Sequence, residues 1–300
     1  MLQEYLRRPT STADWWPPPH SNVLGSRDLA RSTNGTWMGV TRQGKLAVLT
    51  NYREPSSSQA VALQSRGVIV NSWLLTPPES KQATRDFVQD VITGITATKV
   101  GGFSLVCGYL NEPLAIVSNR SSSLEQVAWV ATGRGQTRGL SNTSFEDRSW
   151  PKILDGERLM EEAIAAHAQA GDDEDEDALI DRLLQVLSRD TLPRFPDDAT
   201  TDTYIPHLRK SIFVPIIGQN TAKKAPDEAV DPCLQDKANQ KNDQPDPAYT
   251  QGAYGTQKQT ICLVSDNGRV RYFERTLYDN DVNAIPVGEG DRSFEYTLYD

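Results

Sequence analysis

The sequence is poor in cysteine, in histidine and in basic residues relative to acidic ones. Its three cysteines, Cys107, Cys233 and Cys262, lack the spacing of a zinc site or of a disulfide framework. Few cysteines without such spacing are typical of proteins in a reducing compartment. None of the three histidines has a partner three or four residues away, as a helical metal site would require. We therefore expect neither a metal site nor a cofactor.

Positive charge and long apolar runs are also lacking. The 31 basic residues against 40 acidic ones give a net charge of −9, which disfavours binding to nucleic acids and anionic membranes. No run approaches the roughly 18 apolar residues of a transmembrane helix. Residues 1–20 are charged and proline-rich, unlike a signal peptide. We expect a cytoplasmic protein with no transmembrane segment and no nucleic-acid partner.

Strand-like and helix-like patterns alternate along the sequence. Residues 36–40 and 45–50 flank a polar turn and predict a hairpin, with Trp37 in the core. Further strands are predicted over residues 103–110, 114–117 and 126–131. Apolar residues at helical spacing predict helices over residues 83–92, 151–167 and 178–187, with Ser80 and Ser149 as N-caps of the first two. Many antiparallel strands with few helices indicate an α+β fold.

Two polar segments interrupt this pattern. The acidic residues of segment 171–177 repel one another, so we expect a solvated loop there, with a functional acidic site as the alternative. Segment 219–250 is poor in large apolar residues, and we expect a disordered insert. The strand-like residues 212–214 before it should pair with the strand after Tyr254.

Short motifs follow one another in a fixed order. They are Gly35-Thr36-Trp37 with Leu49-Thr50-Asn51, Ser65-Arg66-Gly67, Ser118-Asn119-Arg120, Gly139-Leu140-Ser141-Asn142 with Trp150-Pro151-Lys152, and Tyr254-Gly255-Thr256. Together they resemble the NRDE family. The resemblance spans nearly the whole chain and implies one domain over residues 1–300. It also implies the four-layer αββα sandwich of antiparallel sheets found in N-terminal-nucleophile hydrolases.

The start of the chain departs from the family pattern. Glu4 matches the last residue of the Asn-Arg-Asp-Glu tetrapeptide, and the preceding cysteine, two strands and Asn-Arg-Asp are absent. The family's Gly-Thr-Arg reads Gly255-Thr256-Gln257 here. In the hydrolase class the leading cysteine is the nucleophile and its own amine is the base. We therefore expect a member without its first two strands and without a catalytic residue.

The resemblance still implies a candidate ligand or oxyanion-type site. Asn51 and Asn142 stand where related hydrolases keep site residues, and two converging amide donors can form an oxyanion hole. Each asparagine could instead only cap a turn. The complete candidate set is Thr50, Asn51, Ser141, Asn142, Tyr254 and Thr256.

The resemblance also implies a function. It suggests a non-enzymatic factor in Golgi organisation and protein secretion, with haem or lipid handling as its molecular activity. The implied partners are haem, a lipid or acyl compound, and proteins of the secretory pathway. The implied locations are the cytoplasm, the Golgi and a mitochondrial pool. The alternative is a cysteine amidohydrolase acting on small amides or acyl groups, if an upstream segment restores the nucleophile.

Overall fold

The computed structural model describes residues 1–52, 65–80, 82–94, 100–171, 175–218, 249 and 251–298. Within these ranges the strands form two antiparallel sheets. The seven-stranded sheet follows chain order, with β2 (Asp14–Trp15), β3 (Val23–Gly25), β4 (Met38–Thr41), β5 (Lys45–Asn51), β6 (Phe103–Tyr109), β7 (Leu114–Ser118) and β8 (Ala128–Val130). The four-stranded sheet has the order β1 (Leu2–Tyr5), β9 (Tyr254–Val264), β10 (Arg269–Thr276) and β11 (Asp291–Thr297).

Five α-helices lie in the described ranges. They are α1 (Gly67–Leu74), α2 (Thr84–Thr93), α3 (Pro151–Ala170), α4 (Glu176–Leu187) and α5 (Thr201–Tyr204). None of these helices combines the length and apolarity needed to cross a membrane.

Three apolar clusters define the order of the layers. The first joins α1 and α2 to one face of the seven-stranded sheet, through residues such as Trp73 and Phe103. The second lies between the two sheets, where Leu24 and Val40 pack with Tyr272. The third joins α4 to the outer face of the four-stranded sheet, through Leu183 and its neighbours. Helix, sheet, sheet and helix therefore stack in this order, which confirms the expected four-layer αββα sandwich.

The hairpin predicted from residues 36–50 is present, with Met38 opposite Val48 and Val40 opposite Leu46. The prediction that Trp37 belongs to the core is wrong. Its side chain is only partly buried and packs at the margin of the cluster between the sheets. Trp37 lies one residue before β4 begins, at the edge of the same cluster that buries Met38 and Val40.

Helix starts differ from the predicted caps. Ser80 lies in a 3₁₀ turn (Pro78–Ser80), and α2 begins after Ala83. Trp150 precedes α3 in place of Ser149. Neither Ala83 nor Trp150 makes a side-chain capping bond, so these starts are set by packing rather than by local hydrogen bonding. Asp175 does cap α4, accepting a hydrogen bond from the Ala178 amide at 3.0 Å. Residues 172–174 of the acidic segment lie outside the described residues.

Residues 212–214 do not form the predicted strand, but the pairing expected there exists. The Thr256 amide donates to the Val214 carbonyl at 2.8 Å. Ile217 and Tyr254 exchange two backbone hydrogen bonds, of 2.9 and 3.0 Å. The ends of segment 219–250 are thus held together, while the segment itself lies outside the described residues except for Tyr249.

Candidate functional site

A loop formed by residues 139–147 lies across neighbouring strands of the seven-stranded sheet. The Thr50 hydroxyl, on β5, donates to the Ser141 carbonyl at 3.0 Å. The Ser104 hydroxyl, on β6, donates to the Thr143 carbonyl at 3.1 Å. Thr50 and Ser104 are paired across the two strands and point to the same face. Side-chain hydroxyls of two neighbouring strands therefore hold the loop at Ser141 and Thr143.

Asn142 adds a third attachment. Its Nδ2 donates to the main-chain carbonyl of Asn51 at 2.8 Å, where β5 ends. The structure thus brings together Thr50, Asn51, Ser141 and Asn142. The Asn142 amide nitrogen is engaged within the protein in this arrangement. Because an amide NH2 group carries two protons, Asn142 can keep this bond and still offer its second proton to a ligand.

The far end of the loop is fixed to the start of α3. Asp147 accepts hydrogen bonds from the Ser149 amide at 2.9 Å and from the Thr143 hydroxyl at 2.7 Å. Bonding from Ser149 and Thr143 lowers the pKa of Asp147 to about 2, because these donors stabilise the carboxylate. Gly139, at the near end, donates its amide to Glu157 of α3 at 2.7 Å. A side chain at Gly139 would come within 3.1 Å of Ile153.

A charged cluster beside β1 was not anticipated from the sequence. Burial raises the pKa of the Glu4 carboxyl, and the positive charges of Arg8 and Arg66 oppose this rise. Arg8 also pairs with Asp28 at 2.6 Å. Burial and the nearby Glu4 carboxyl both raise the pKa of Tyr254. The signal available in the sequence was the match of Glu4 to the family tetrapeptide, which did not identify its neighbours.

The charged cluster adjoins the Asn51 end of β5. Arg66 Nε donates to the Gly102 carbonyl at 2.9 Å. The same carbonyl accepts the amide of Tyr52 at 2.8 Å, one residue after Asn51. Gly102 therefore connects Arg66 to the backbone one residue after Asn51.

Tyr254 lies beside the charged cluster, whereas Thr256 contacts the segment around Val214. The Tyr254 ring packs edge-on against Tyr5 with ring centres 5.4 Å apart. The fully buried Thr256 hydroxyl accepts the Val214 amide at 2.9 Å. A side chain at Gly255 would come within 3.3 Å of the Val214 carbonyl. The Tyr254-Gly255-Thr256 motif thus seats the segment around Val214 on β9.

The described thiols are poor nucleophiles. Burial raises the pKa of Cys107, on β6, and of Cys262, on β9, to about 12. A thiol with such a pKa carries almost no thiolate near pH 7. Cys233 lies outside the described residues. Over the described part of the chain, no cluster of three or more histidine, cysteine, aspartate or glutamate side chains could hold a metal ion.

The sequence matches the Transport and Golgi organisation 2 family over residues 3–279. The chain belongs to this family. Relatives include the mouse Transport and Golgi organization 2 homolog, 28% identical in a 306-residue alignment, gaps included, that covers 98% of this chain and 90% of the mouse protein. The human homolog is 27% identical over 296 residues, with 98% and 90% coverage. An uncharacterised protein of Saccharomyces cerevisiae is 23% identical, covering 98% of this chain and 93% of the yeast protein.

Among solved structures, a mutant of the conjugated bile acid hydrolase from Clostridium perfringens is 9% identical to this chain. The match covers 92% of this chain and 82% of that one, with a TM-score of 0.35. A TM-score of this size supports no conclusion about function. The family membership confirms the resemblance drawn from the sequence motifs.

Proposed function

We propose that this family member is a non-enzymatic factor in Golgi organisation and protein secretion. The observation that carries the proposal is the family match over residues 3–279, which includes every motif named above. The high pKa of Cys107 and Cys262 supports a non-enzymatic role, because neither thiol is suited to nucleophilic attack. The proposed locations are the cytoplasm and the Golgi surface, with a mitochondrial pool.

The proposed molecular activity is the handling of haem or of a lipid or acyl compound, and proteins of the secretory pathway are the proposed protein partners. Haem and fatty acids both combine an apolar body with carboxylate groups. Two arginines, Arg8 and Arg66, lie near the partly buried Glu4 beside the Asn51 and Asn142 pair. A carboxylate bound here would have cationic and amide groups nearby. Asn51, Asn142 and Tyr254 are the proposed ligand-site residues that flank it.

A rescue experiment tests the cellular role. Cells depleted of the protein should show altered Golgi morphology and slower secretion of a reporter, and the wild-type chain should restore both. Arg66→Gln should restore them less well, whereas Arg158→Gln, at an exposed ion pair on α3, should match the wild type. Depletion without any Golgi or secretion defect would contradict the proposal.

Binding and activity assays test the molecular role. Titration with haemin or palmitate should change the tryptophan fluorescence of the purified protein. Arg66→Gln should weaken the binding of whichever ligand produces the change. Hydrolysis of small amides or acyl esters by a chain extended upstream with a leading cysteine, lost when that cysteine is replaced by alanine, would instead establish the amidohydrolase alternative.

A further inference from the structure

Helix α3 leaves much of its surface exposed. It extends over 20 residues, or about 30 Å, and of these described residues Ile153 alone is buried. On one side of the helix Ala163 packs with α4 and the outer face of the four-stranded sheet. The remaining sides of the second half of α3 face outward.

An apolar stripe runs along α3 from its covered start onto this exposed half. It consists of Ile153, Gly156, Met160 and Ile164, which share one face because they follow one another at spacings of three and four residues. At the start of the stripe, a side chain at Gly156 would lie 3.5 Å from Ile212. Further on, Met160 is 37% and Ile164 47% exposed, and neither belongs to an apolar cluster of the described residues. The spacing of a core-facing helix therefore continues onto the surface.

The opposite face of α3 is a solvent face. Arg158 pairs there with Asp155 at 2.6 Å and with Glu162 at 2.7 Å. These three residues lie about half a turn away from the stripe. The helix is thus amphipathic, and it is the apolar side of its second half that lacks cover.

Negative charge borders the exposed part of the stripe. Glu161, next to Met160 and one turn before Ile164, is exposed and pairs with no cation of the described chain. The same is true of Asp175, in the acidic segment that follows α3. The C-terminal end of a helix also carries partial negative charge. An apolar surface with such a border suits a partner that combines apolar side chains with lysine or arginine.

We propose that the exposed part of the stripe, Met160 and Ile164 with Glu161, is a docking surface for a basic amphipathic helix of a partner protein. The partner's apolar side chains lie on Met160 and Ile164, whose spacing of four residues forms a ridge that packs into the grooves of another helix. A lysine or arginine of the partner pairs with Glu161. Like charges disfavour a second copy of this chain or an anionic membrane at the same surface. The proposal does not depend on the proposed function.

Fluorescence anisotropy of a labelled synthetic peptide titrated with the full chain tests the proposal. The peptide has about 18 residues, enough to form a helix, with leucine on one helical face and lysine on the other. A second peptide has glutamate in place of lysine. The chain should bind the lysine peptide and leave the glutamate peptide free.

Variants locate the binding surface. Ile164→Gln should weaken binding of the lysine peptide about tenfold, the effect of exposing one large apolar side chain. Glu161→Gln should weaken it about two- to fivefold, as for loss of an exposed ion pair. Val287→Gln and Glu112→Gln make the same changes at exposed residues outside α3 and should bind as the wild type does.

Four results would overturn the proposal. The first is unchanged binding by Ile164→Gln at an unchanged melting temperature, and the second is equal binding of the two peptides. Self-association of the chain that Ile164→Gln abolishes would assign the surface to a second copy. Binding to phosphatidylserine-containing vesicles that Ile164→Gln abolishes would assign it to a membrane.

Discussion

Lys45 shows how the fold controls the chemistry of a single residue. Its ammonium group is buried and contacts the Trp73 carbonyl at 3.3 Å and the Trp73 ring at 4.5 Å. Burial lowers the pKa of Lys45 from 10.5 to about 8. Between these two values the unfolded chain binds more protons than the folded chain, so the stability contributed by Lys45 rises with pH.

We therefore predict a pH-dependent difference between the wild type and Lys45→Met. From pH 7 to pH 10 the wild type should gain about 1–3 kcal/mol relative to the variant, since one pKa unit corresponds to about 1.4 kcal/mol. Urea unfolding at several pH values measures the difference. Comparing the two proteins cancels the contributions of other lysines. Parallel stability curves would contradict the prediction.

Trp73, on α1, and Trp37, just before β4, should differ in their contributions to stability. Trp73 is fully buried, donates to the Leu46 carbonyl at 3.1 Å and packs on Phe87 with ring centres 4.8 Å apart. Trp73→Ala should cost about 3–5 kcal/mol, the usual range for a buried aromatic. Trp37→Ala should cost less, about 1–3 kcal/mol, because Trp37 is only partly buried. Denaturant unfolding of both variants measures the loss of stability. Equal losses would show that Trp37 contributes as much as a core residue.

At the scale of elements, one close contact explains glycines in two of the sequence motifs. A side chain at Gly35 would come within 2.9 Å of the Gly67 Cα, and one at Gly67 within 2.8 Å of the Gly35 Cα. This contact seats the first residue of α1 against the segment that leads into β4. Glycine is needed here because neither backbone has room for a Cβ atom.

Gly67→Ala should consequently destabilise the protein by about 1–3 kcal/mol, the usual cost of overpacking. Alanine is otherwise the better helix former, so without the contact the same change would be neutral or stabilising. Gly133→Ala is the control, since a side chain there would meet only the Gln136 amide at 3.9 Å. Thermal melting distinguishes the two, and equal melting temperatures would show that the backbones move apart at little cost.

Elements with strong local patterns could be predicted from the sequence, and those fixed by distant contacts could not. The hairpin of β4 and β5 follows from alternating apolar residues and a glycine-containing turn. The start of α2 does not, because Ala83 makes no capping bond and the helix is positioned by the packing of Phe87. The loop carrying Asn142 was identified from its motif, whereas the neighbours of Glu4 depend on contacts between the two sheets.

For the molecule as a whole, the paired ends of segment 219–250 suggest that the segment can be shortened. Ile217 and Tyr254 hold the ends together by two backbone hydrogen bonds. A short Gly-Ser loop in place of residues 219–250 should therefore leave the melting temperature nearly unchanged. A fall of more than about 5 °C, equivalent to the loss of at least 1 kcal/mol in a domain of this size, would mean that the segment packs on the described domain.

The two sheets are also joined by a buried polar network. Glu274, on β10, accepts hydrogen bonds from the Ala13 amide at 2.8 Å and from the Ser26 hydroxyl at 2.7 Å, next to β2 and β3. Lys258, on β9, lies 3.5 Å from Glu274 and donates to Thr276 at 3.0 Å. Both charged side chains are almost completely buried. Each charge therefore depends on the other for compensation within the protein.

A double-mutant cycle on this pair tests how the sheets are held together. Glu274→Gln should cost about 3–5 kcal/mol, because it leaves the Lys258 ammonium buried without its countercharge. Adding Lys258→Met should recover part of that loss, since the double variant buries no unpaired charge and methionine fills a similar volume. Denaturant unfolding of the wild type, both single variants and the double variant gives the coupling energy, expected between about 0.5 and 3 kcal/mol. Strictly additive losses would mean that Ser26 and Ala13, rather than Lys258, account for the requirement for Glu274.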